Sequence, residues 1–110
     1  MSWYFGGIFM KKKSGKLSTL EKNRTSIMTN NLKKCMLCPN NAVNKHEIFF
    51  GRNRQNSMKY GLVMPLCYRC HMMMHRNTVW QEIWHVKGQI AFEEHYPELD
   101  FLEIFKKSYK

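Results

Sequence analysis

Hydrophobic and polar positions divide the 110-residue chain into three parts. Residues 1–32 show no sustained period and are rich in Lys, Ser, Thr and Asn, which predicts a basic, mobile arm with a short helix around Leu17–Met28. Residues 33–78 contain short apolar runs of the length of strands. Residues 79–110 return to a helical spacing of apolar positions. The pattern therefore predicts an arm, a small mixed unit and C-terminal helices that pack on that unit.

The middle part predicts a β-hairpin followed by a helix. Ala42–Phe50 and Tyr60–Leu66 have the composition of strands, and the polar stretch Gly51–Lys59 is expected to be a long basic loop between them. Pro65 cannot donate to a ladder, so it marks the end of the second strand as an edge. From Tyr68 the spacing becomes helical.

The last part predicts two helices. Val79–Tyr96 carries a broad apolar stripe, with Asn77 and Thr78 as candidate caps before it and Pro97 as its stop. Leu99–Ser108 is expected to form a short final helix. Aromatic residues at helical spacing are more often core than cofactor contacts, so we expect these two helices to supply core.

All four cysteines of the chain fall in two C-x-x-C pairs. Cys35 and Cys38 form the first pair, and Cys67 and Cys70 form the second. Two such pairs present four thiolates at the corners of a tetrahedron, which is the ligand set of a structural zinc ion. A chain of this length has a small core, so we expect this ion to contribute strongly to stability.

Charge indicates a polyanionic partner. The formal net charge is +10, and it is concentrated in residues 1–75, which contain thirteen basic side chains and only two acidic ones. No apolar run is long enough to span a bilayer, and no secretory signal precedes the cysteines. We therefore expect no membrane partner and a reducing cytoplasm, where metal is favoured over disulfides.

Residues 35–71 resemble HNH endonucleases of the zinc-stapled kind. The shared pattern is C-x-x-C, then a histidine followed by a hydrophobic residue, then Leu-Cys-x-x-Cys-His. The stretch HEIFFGRNR that begins at His46, with the later Ser57-x-x-Tyr60-Gly61-Leu62, is similar to small HNH-like proteins encoded by bacteriophages and prophages. The resemblance covers about residues 33–110.

The resemblance implies an α+β fold, a small zinc-stapled ββα-metal (HNH/His-Me) finger over residues 33–78 followed by C-terminal helices. It also implies a metal-dependent endonuclease that hydrolyses or nicks DNA, in the cytoplasm of a bacterial host. In such a site His46 is the candidate general base, since imidazole titrates near working pH. His71 and His75, one helical turn apart, are candidates to hold a divalent cation: Mg²⁺, Mn²⁺, Ni²⁺ or Zn²⁺. The residues expected to contact phosphates are Lys45, Arg52, Arg54, Lys59 and Arg69.

The chain departs from the family pattern at two positions. Lys45 stands before the expected base, where the family usually has a metal ligand. The central asparagine of the motif is also displaced, so that Asn53 or Asn56 is expected to take its role, and the phage-type resemblance favours Asn53. These departures leave two other hypotheses open: a non-catalytic zinc finger that binds nucleic acid, and a structural Cys₄ protein that contacts other proteins through its C-terminal helices.

Overall fold

The computed structural model describes residues 15–110, and the first fourteen residues of the predicted arm lie outside the described part. The described chain is α+β and contains one two-stranded antiparallel sheet. Its elements, in order, are α1 Gly15–Lys22, β1 Asn44–Glu47, a short 3₁₀ helix Gly51–Asn53, α2 Arg54–Lys59, β2 Val63–Leu66, α3 Tyr68–Arg76, α4 Thr78–His95 and α5 Phe101–Phe105. The predicted α+β class is therefore confirmed.

The sheet places His46 at the buried position of β1. Strand β1 pairs with β2 so that His46 lies opposite Met64 and Asn44 lies opposite Leu66. Every residue of β2 is buried, because this strand lies between the rest of the core and β1. Both strands are only four residues long, and just beyond them the Ile48 amide donates to the Leu62 carbonyl at 3.0 Å, in the same register.

The connection between the strands is helical, so the predicted polar loop Gly51–Lys59 is wrong. Gly51 enters the turn with φ +68°, which favours glycine, and α2 follows. The Ser57 hydroxyl accepts from the Phe49 amide at 2.9 Å and donates to the Phe49 carbonyl at 2.6 Å. These bonds hold a short polar helix against the end of β1. A helix of six residues has too few apolar positions for its period to be visible in the sequence.

The two predicted C-terminal helices are present: α4 is shifted by one residue from the predicted Val79–Tyr96, and α5 is shorter than the predicted Leu99–Ser108. The Asn77 side chain caps α4 by accepting from the Trp80 amide at 3.1 Å, as expected for a cap. The predicted apolar stripe is only partly core, because Val79, Ile83 and Ile90 are exposed. Burial is instead provided by the opposite side of α4, where Phe92 is fully buried.

One part of the core is an aromatic cluster formed by Phe49, α4 and α5. Phe101 and Phe105 stack with ring centroids 4.4 Å apart, and Phe49 reaches both at 5.4 and 5.1 Å. Phe92 packs against the same two rings. The expectation that the C-terminal aromatics are core is confirmed for these residues, while Leu102 points to solvent.

Residues 21–28 contact the mixed unit. The Ser26 hydroxyl donates to the Val63 carbonyl at 2.6 Å, and the Ile27 amide donates to the Gly61 carbonyl at 2.8 Å. Glu21 forms an ion pair with Arg54. These contacts attach the segment after α1 to the loop and strand that precede the second cysteine pair.

Candidate metal centres

The first cysteine pair lies on a tight hairpin. An isolated bridge between Lys34 and Asn41 closes it, and the Cys35 amide bonds to the Asn40 carbonyl at 2.9 Å. The Met36 amide bonds to the Pro65 carbonyl at 3.0 Å, which attaches the hairpin to β2. Proline cannot donate a backbone hydrogen bond, but its carbonyl accepts one. The edge of the sheet therefore holds the hairpin through this bond.

The second cysteine pair begins α3. Cys67 has an extended backbone at the N-cap, and its sulfur accepts from the Cys70 amide at 3.5 Å. In the first pair, the Cys35 sulfur accepts from the Leu37 amide at 3.4 Å. Each pair therefore has an amide directed at a sulfur, an arrangement that stabilises a thiolate.

The four sulfurs form one cluster. All four lie within 4.8 Å of one another, and the Cys38 and Cys67 sulfurs are 3.5 Å apart. A disulfide would bring two sulfurs to about 2.05 Å, whereas two thiolates on a tetrahedral zinc ion lie about 3.8 Å apart. The cysteines are free thiols at metal spacing, so the cluster could hold a structural zinc ion, as its two C-x-x-C pairs predict.

Electrostatics also favours a cation in this cluster. The amide of Cys70 lowers the pKa of Cys67 to about 6, so this sulfur is a thiolate at neutral pH. Burial and the neighbouring sulfurs raise the pKa of Cys70. Four sulfurs this close cannot all carry negative charge without a counter-charge, which a divalent ion would supply.

A second cluster is formed by three histidines. His46 comes from β1, and His71 and His75 come from successive turns of α3. Because Cys67 is the cap of α3, the second cysteine pair sets where this helix begins and therefore where both helix histidines lie. The sheet and the helix thus bring together three residues that are far apart in the sequence.

The three rings converge on one point. Their ligand nitrogens lie within 4.8 Å of one another, and the Nε2 atoms of His71 and His75 are 3.0 Å apart. The His46 ring stands edge-on to both, with centroid distances of 5.4 and 5.5 Å. Two imidazole nitrogens on a tetrahedral zinc ion lie about 3.4 Å apart, so the cluster has the dimensions of a metal site.

Burial favours the neutral form of two of the three histidines, His46 and His71. Burial, with the adjacent His71 and His75, lowers the pKa of His46 to about 3. Burial and His75 also lower the pKa of His71. Neutral imidazole is the form that binds metal, so at neutral pH His46 and His71 need not lose protons to do so.

The three histidines line an open cleft of about 320 Å³. The other residues that line it are Lys45, Glu47, Phe50 and Arg54. Lys45 is exposed, and so are Arg52, Lys59 and Arg69 among the predicted phosphate contacts. Arg54 differs, because its guanidinium pairs with Glu21 at 2.6 Å and with Glu47 at 3.1 Å.

Asn53 has a different environment from the histidines. It is buried, and its side-chain amide donates to the Phe105 carbonyl at 3.2 Å, which connects the helical linker to α5. The residues that line the cleft do not include it. Asn56 makes the equivalent bond to the Ile104 carbonyl, also at 3.2 Å.

Sequence reasoning missed two residues of the cleft. Glu47 lies 2.7 Å from Arg24 as well as near Arg54, and Phe50 is 47% exposed beside His46. A signal for Glu47 was present, since it is the single acidic residue in residues 35–75 and directly follows His46. Phe50 carried no signal, because an apolar residue in an apolar run is expected to be core.

Comparison of the chain with protein-family models, with curated proteins and with solved structures found no match. None of the helices among residues 15–110 is long and apolar enough to cross a membrane. The assignment of two metal sites therefore depends on their geometry. Four sulfurs form one cluster, three imidazoles form the other, and α3 carries residues of both.

Proposed function

We propose that the protein is a metal-dependent DNA endonuclease of the HNH type, encoded by a phage or prophage and acting in the cytoplasm of a bacterial host. The observation that carries the proposal is the convergence of His46, His71 and His75 in an open cleft. The α+β arrangement of two strands and a following helix, with Cys₄ ligands at the start of that helix, supports the same reading.

The chemistry needs an activated water and compensation of the charge that develops on the phosphate. His71 and His75 would hold a divalent ion, and two or more nitrogen ligands suit Zn²⁺ or Ni²⁺ better than Mg²⁺. When bound, such an ion is a Lewis acid that neutralises charge on a phosphodiester oxygen. His46 is buried and lines the cleft, and the resemblance implies that it is the general base.

DNA is the substrate that the charge distribution favours. Lys45 at the rim of the cleft, with exposed Arg52, Lys59 and Arg69, supplies positive charge on the unit that contains the histidines. Phosphate contacts of this kind release counterions, so binding is expected to weaken steeply with salt.

The test is incubation of supercoiled plasmid with the full chain and Mg²⁺, Mn²⁺, Ni²⁺ or Zn²⁺. Nicked or linear DNA is expected with a transition ion, and both His46→Ala and His71→Ala should lower the rate by at least about 100-fold. His95→Ala is the matched control, since His95 is exposed on α4 and lies outside the cluster. Cleavage that survives both EDTA and the His46 and His71 substitutions would refute the proposal.

A non-catalytic DNA-binding finger is the second candidate. It is favoured by Lys45, which occupies the position of an expected metal ligand, and by Asn53, whose amide is bonded to the Phe105 carbonyl. Binding of a DNA duplex that weakens with salt, with no cleavage under any ion, would support this candidate and exclude the enzyme.

A further inference from the structure

His46 lies almost equally far from the two helix histidines. Its ring centroid is 5.4 Å from that of His71 and 5.5 Å from that of His75, while the helix pair is 4.5 Å apart. The three rings therefore form a nearly symmetric triangle. A base that acts on a metal-bound water has its nitrogen about 2.6–3.2 Å from that water, whereas a ligating nitrogen lies about 2.0–2.1 Å from the ion itself, so a base stands farther from the ion than the ligands do.

The surroundings offer no alternative third ligand among the described residues that line the cleft. Lys45 is a cation and cannot ligate while charged. Glu47 is held by Arg24 at 2.7 Å and by Arg54 at 3.1 Å. Phe50 has no donor atom. An ion bound by His71 and His75 alone would have only two protein ligands, fewer than the three that catalytic zinc sites use.

We propose that His46 is the third protein ligand of the divalent ion, and not the base that takes a proton from water. This inference rests on the proposed function for the presence of the ion. It changes the role of His46 from general base to metal ligand. A neutral imidazole has a single acceptor nitrogen, so His46 cannot ligate and accept a proton at once. The histidine from β1 thereby replaces the ligand that the chain lacks at Lys45.

The assignment also narrows the choice of ion. Three imidazoles with no carboxylate favour Zn²⁺, Co²⁺ and Ni²⁺ over Mg²⁺, which prefers oxygen ligands. Strand β1 and helix α3 supply the three ligands from two elements whose relative position is set by the Cys₄ cluster. Binding at the histidine site is therefore expected to require an intact Cys₄ site, but not the reverse.

The first test is a metal count on the full chain. Wild type saturated with Zn²⁺ or Co²⁺ should hold two ions per molecule, one in each cluster. His46→Gln should hold one tightly and bind the second with at least tenfold lower affinity in a Co²⁺ titration of the zinc-loaded protein. His95→Gln is the control, because His95 is exposed on α4 and lies outside the cluster, and it should bind the second ion as wild type does. Unchanged second-ion affinity in His46→Gln, with loss in His71→Ala, would overturn the assignment.

The second test needs no substitution at a buried position. In the Co²⁺-loaded wild type, each ligating imidazole contributes one exchangeable, strongly shifted ring N–H signal in the proton NMR spectrum. Three such signals are expected, and two would refute the assignment.

The outcomes separate the inference from the proposed function. Three signals without DNA cleavage would keep the ligand assignment and remove the nuclease. Cleavage with only two signals would keep the nuclease and restore His46 as the base. Failure of wild type to bind any second ion would remove both.

Discussion

Glu47 and Arg54 form an ion pair at the edge of the histidine cleft, with Oε1 of the glutamate 3.1 Å from Nε of the arginine. Arg54 also pairs with Glu21 at 2.6 Å. Glu21 and Glu47 are the two acidic residues in the first 75 positions, and both contact this one guanidinium. The planar fork of arginine can serve two carboxylates at once, so Arg54 connects α1 to the strand that carries His46.

Arg54 is therefore expected to contribute more to stability than to DNA binding. Arg54→Ala should lower the free energy of unfolding in urea by about 1–3 kcal/mol, because it removes the guanidinium that two partly buried carboxylates share. Arg52→Ala is the matched variant, since Arg52 is exposed, and it should change stability by no more than about 0.5 kcal/mol. In DNA titrations Arg52→Ala should weaken binding and reduce the salt slope by about one. Equal unfolding midpoints for the two variants would contradict this division of roles.

The clusters were readable from the sequence because metal ligands occur at short, characteristic spacings. Cys35 and Cys38, and likewise Cys67 and Cys70, are each three apart, which brings both sulfurs of a pair to one side of a turn. The helical connection was not readable, because α2 has only six residues and is held by hydrogen bonds from Ser57 to the backbone of Phe49. Bonds of this type leave no hydrophobic period.

The sequence also did not reveal which charged residues form ion pairs. Arg52 and Arg54 look alike in a basic stretch, yet only Arg54 has carboxylates within reach. Asn53 is similar, since its neighbours in the chain do not reveal that α5 will present the Phe105 carbonyl to it. Such roles depend on long-range packing, which a local pattern does not record.

Cys67 is expected to be essential to the fold of the mixed unit. Cys67→Ser removes one of four zinc ligands but keeps a residue that can cap α3, so the loss reports on the metal site, and for small sites the energy of metal binding is energy of folding. The variant should hold less zinc, should lose several kcal/mol of stability, and should no longer bind an ion at the histidines. Met73→Ser, at an exposed position of the same helix, is the control. A melting curve and zinc content equal to those of wild type would show that the four sulfurs do not bind the ion.

Stability should depend on pH through His46. Burial and its histidine neighbours lower its pKa in the folded protein to about 3, against about 6.5 when unfolded. Between these values the unfolded chain binds the extra proton, so the free energy of unfolding falls as the pH falls below about 6.5. The loss from this group approaches about 1.4 kcal/mol for each pH unit, or about 2 kcal/mol at pH 5.

The measurement compares urea unfolding of zinc-loaded wild type and His46→Gln from pH 7.5 to 5, without a second ion. His71 and His85, whose pKa values are also lowered by burial, are present in both proteins, so the difference reports His46 together with its coupling to these neighbours. As the pH decreases, the free energy of unfolding of wild type should fall by more than that of His46→Gln. Parallel curves over this range would show that His46 is not held neutral by the fold.

Gly88 should be required for close packing of α4 on the end of β1. A Cβ at this position would lie 3.1 Å from Cγ2 of Ile48 and 3.2 Å from Cε2 of Phe49, which is tighter than an ordinary contact. Alanine would gain about 1 kcal/mol of helix propensity, but overpacking of a buried contact costs about 1–3 kcal/mol. We expect Gly88→Ala to lower the free energy of unfolding by about 1 kcal/mol and Gly88→Val by more. Glu94→Ala, exposed on the same helix, should change it by less than about 0.5 kcal/mol.

The same substitution connects packing to the site. Ile48 and Phe49 follow His46 by two and three residues. A side chain at position 88 that displaces them is therefore expected to shift the end of β1 and the imidazole of His46. Gly88→Val should therefore weaken binding of the second ion, measured by Co²⁺ titration, while the Cys₄ site keeps its zinc. A valine variant that is as stable as wild type would show that the Ile48 and Phe49 side chains move aside with no loss of folding free energy. It would also show that glycine is not needed for the close approach of α4.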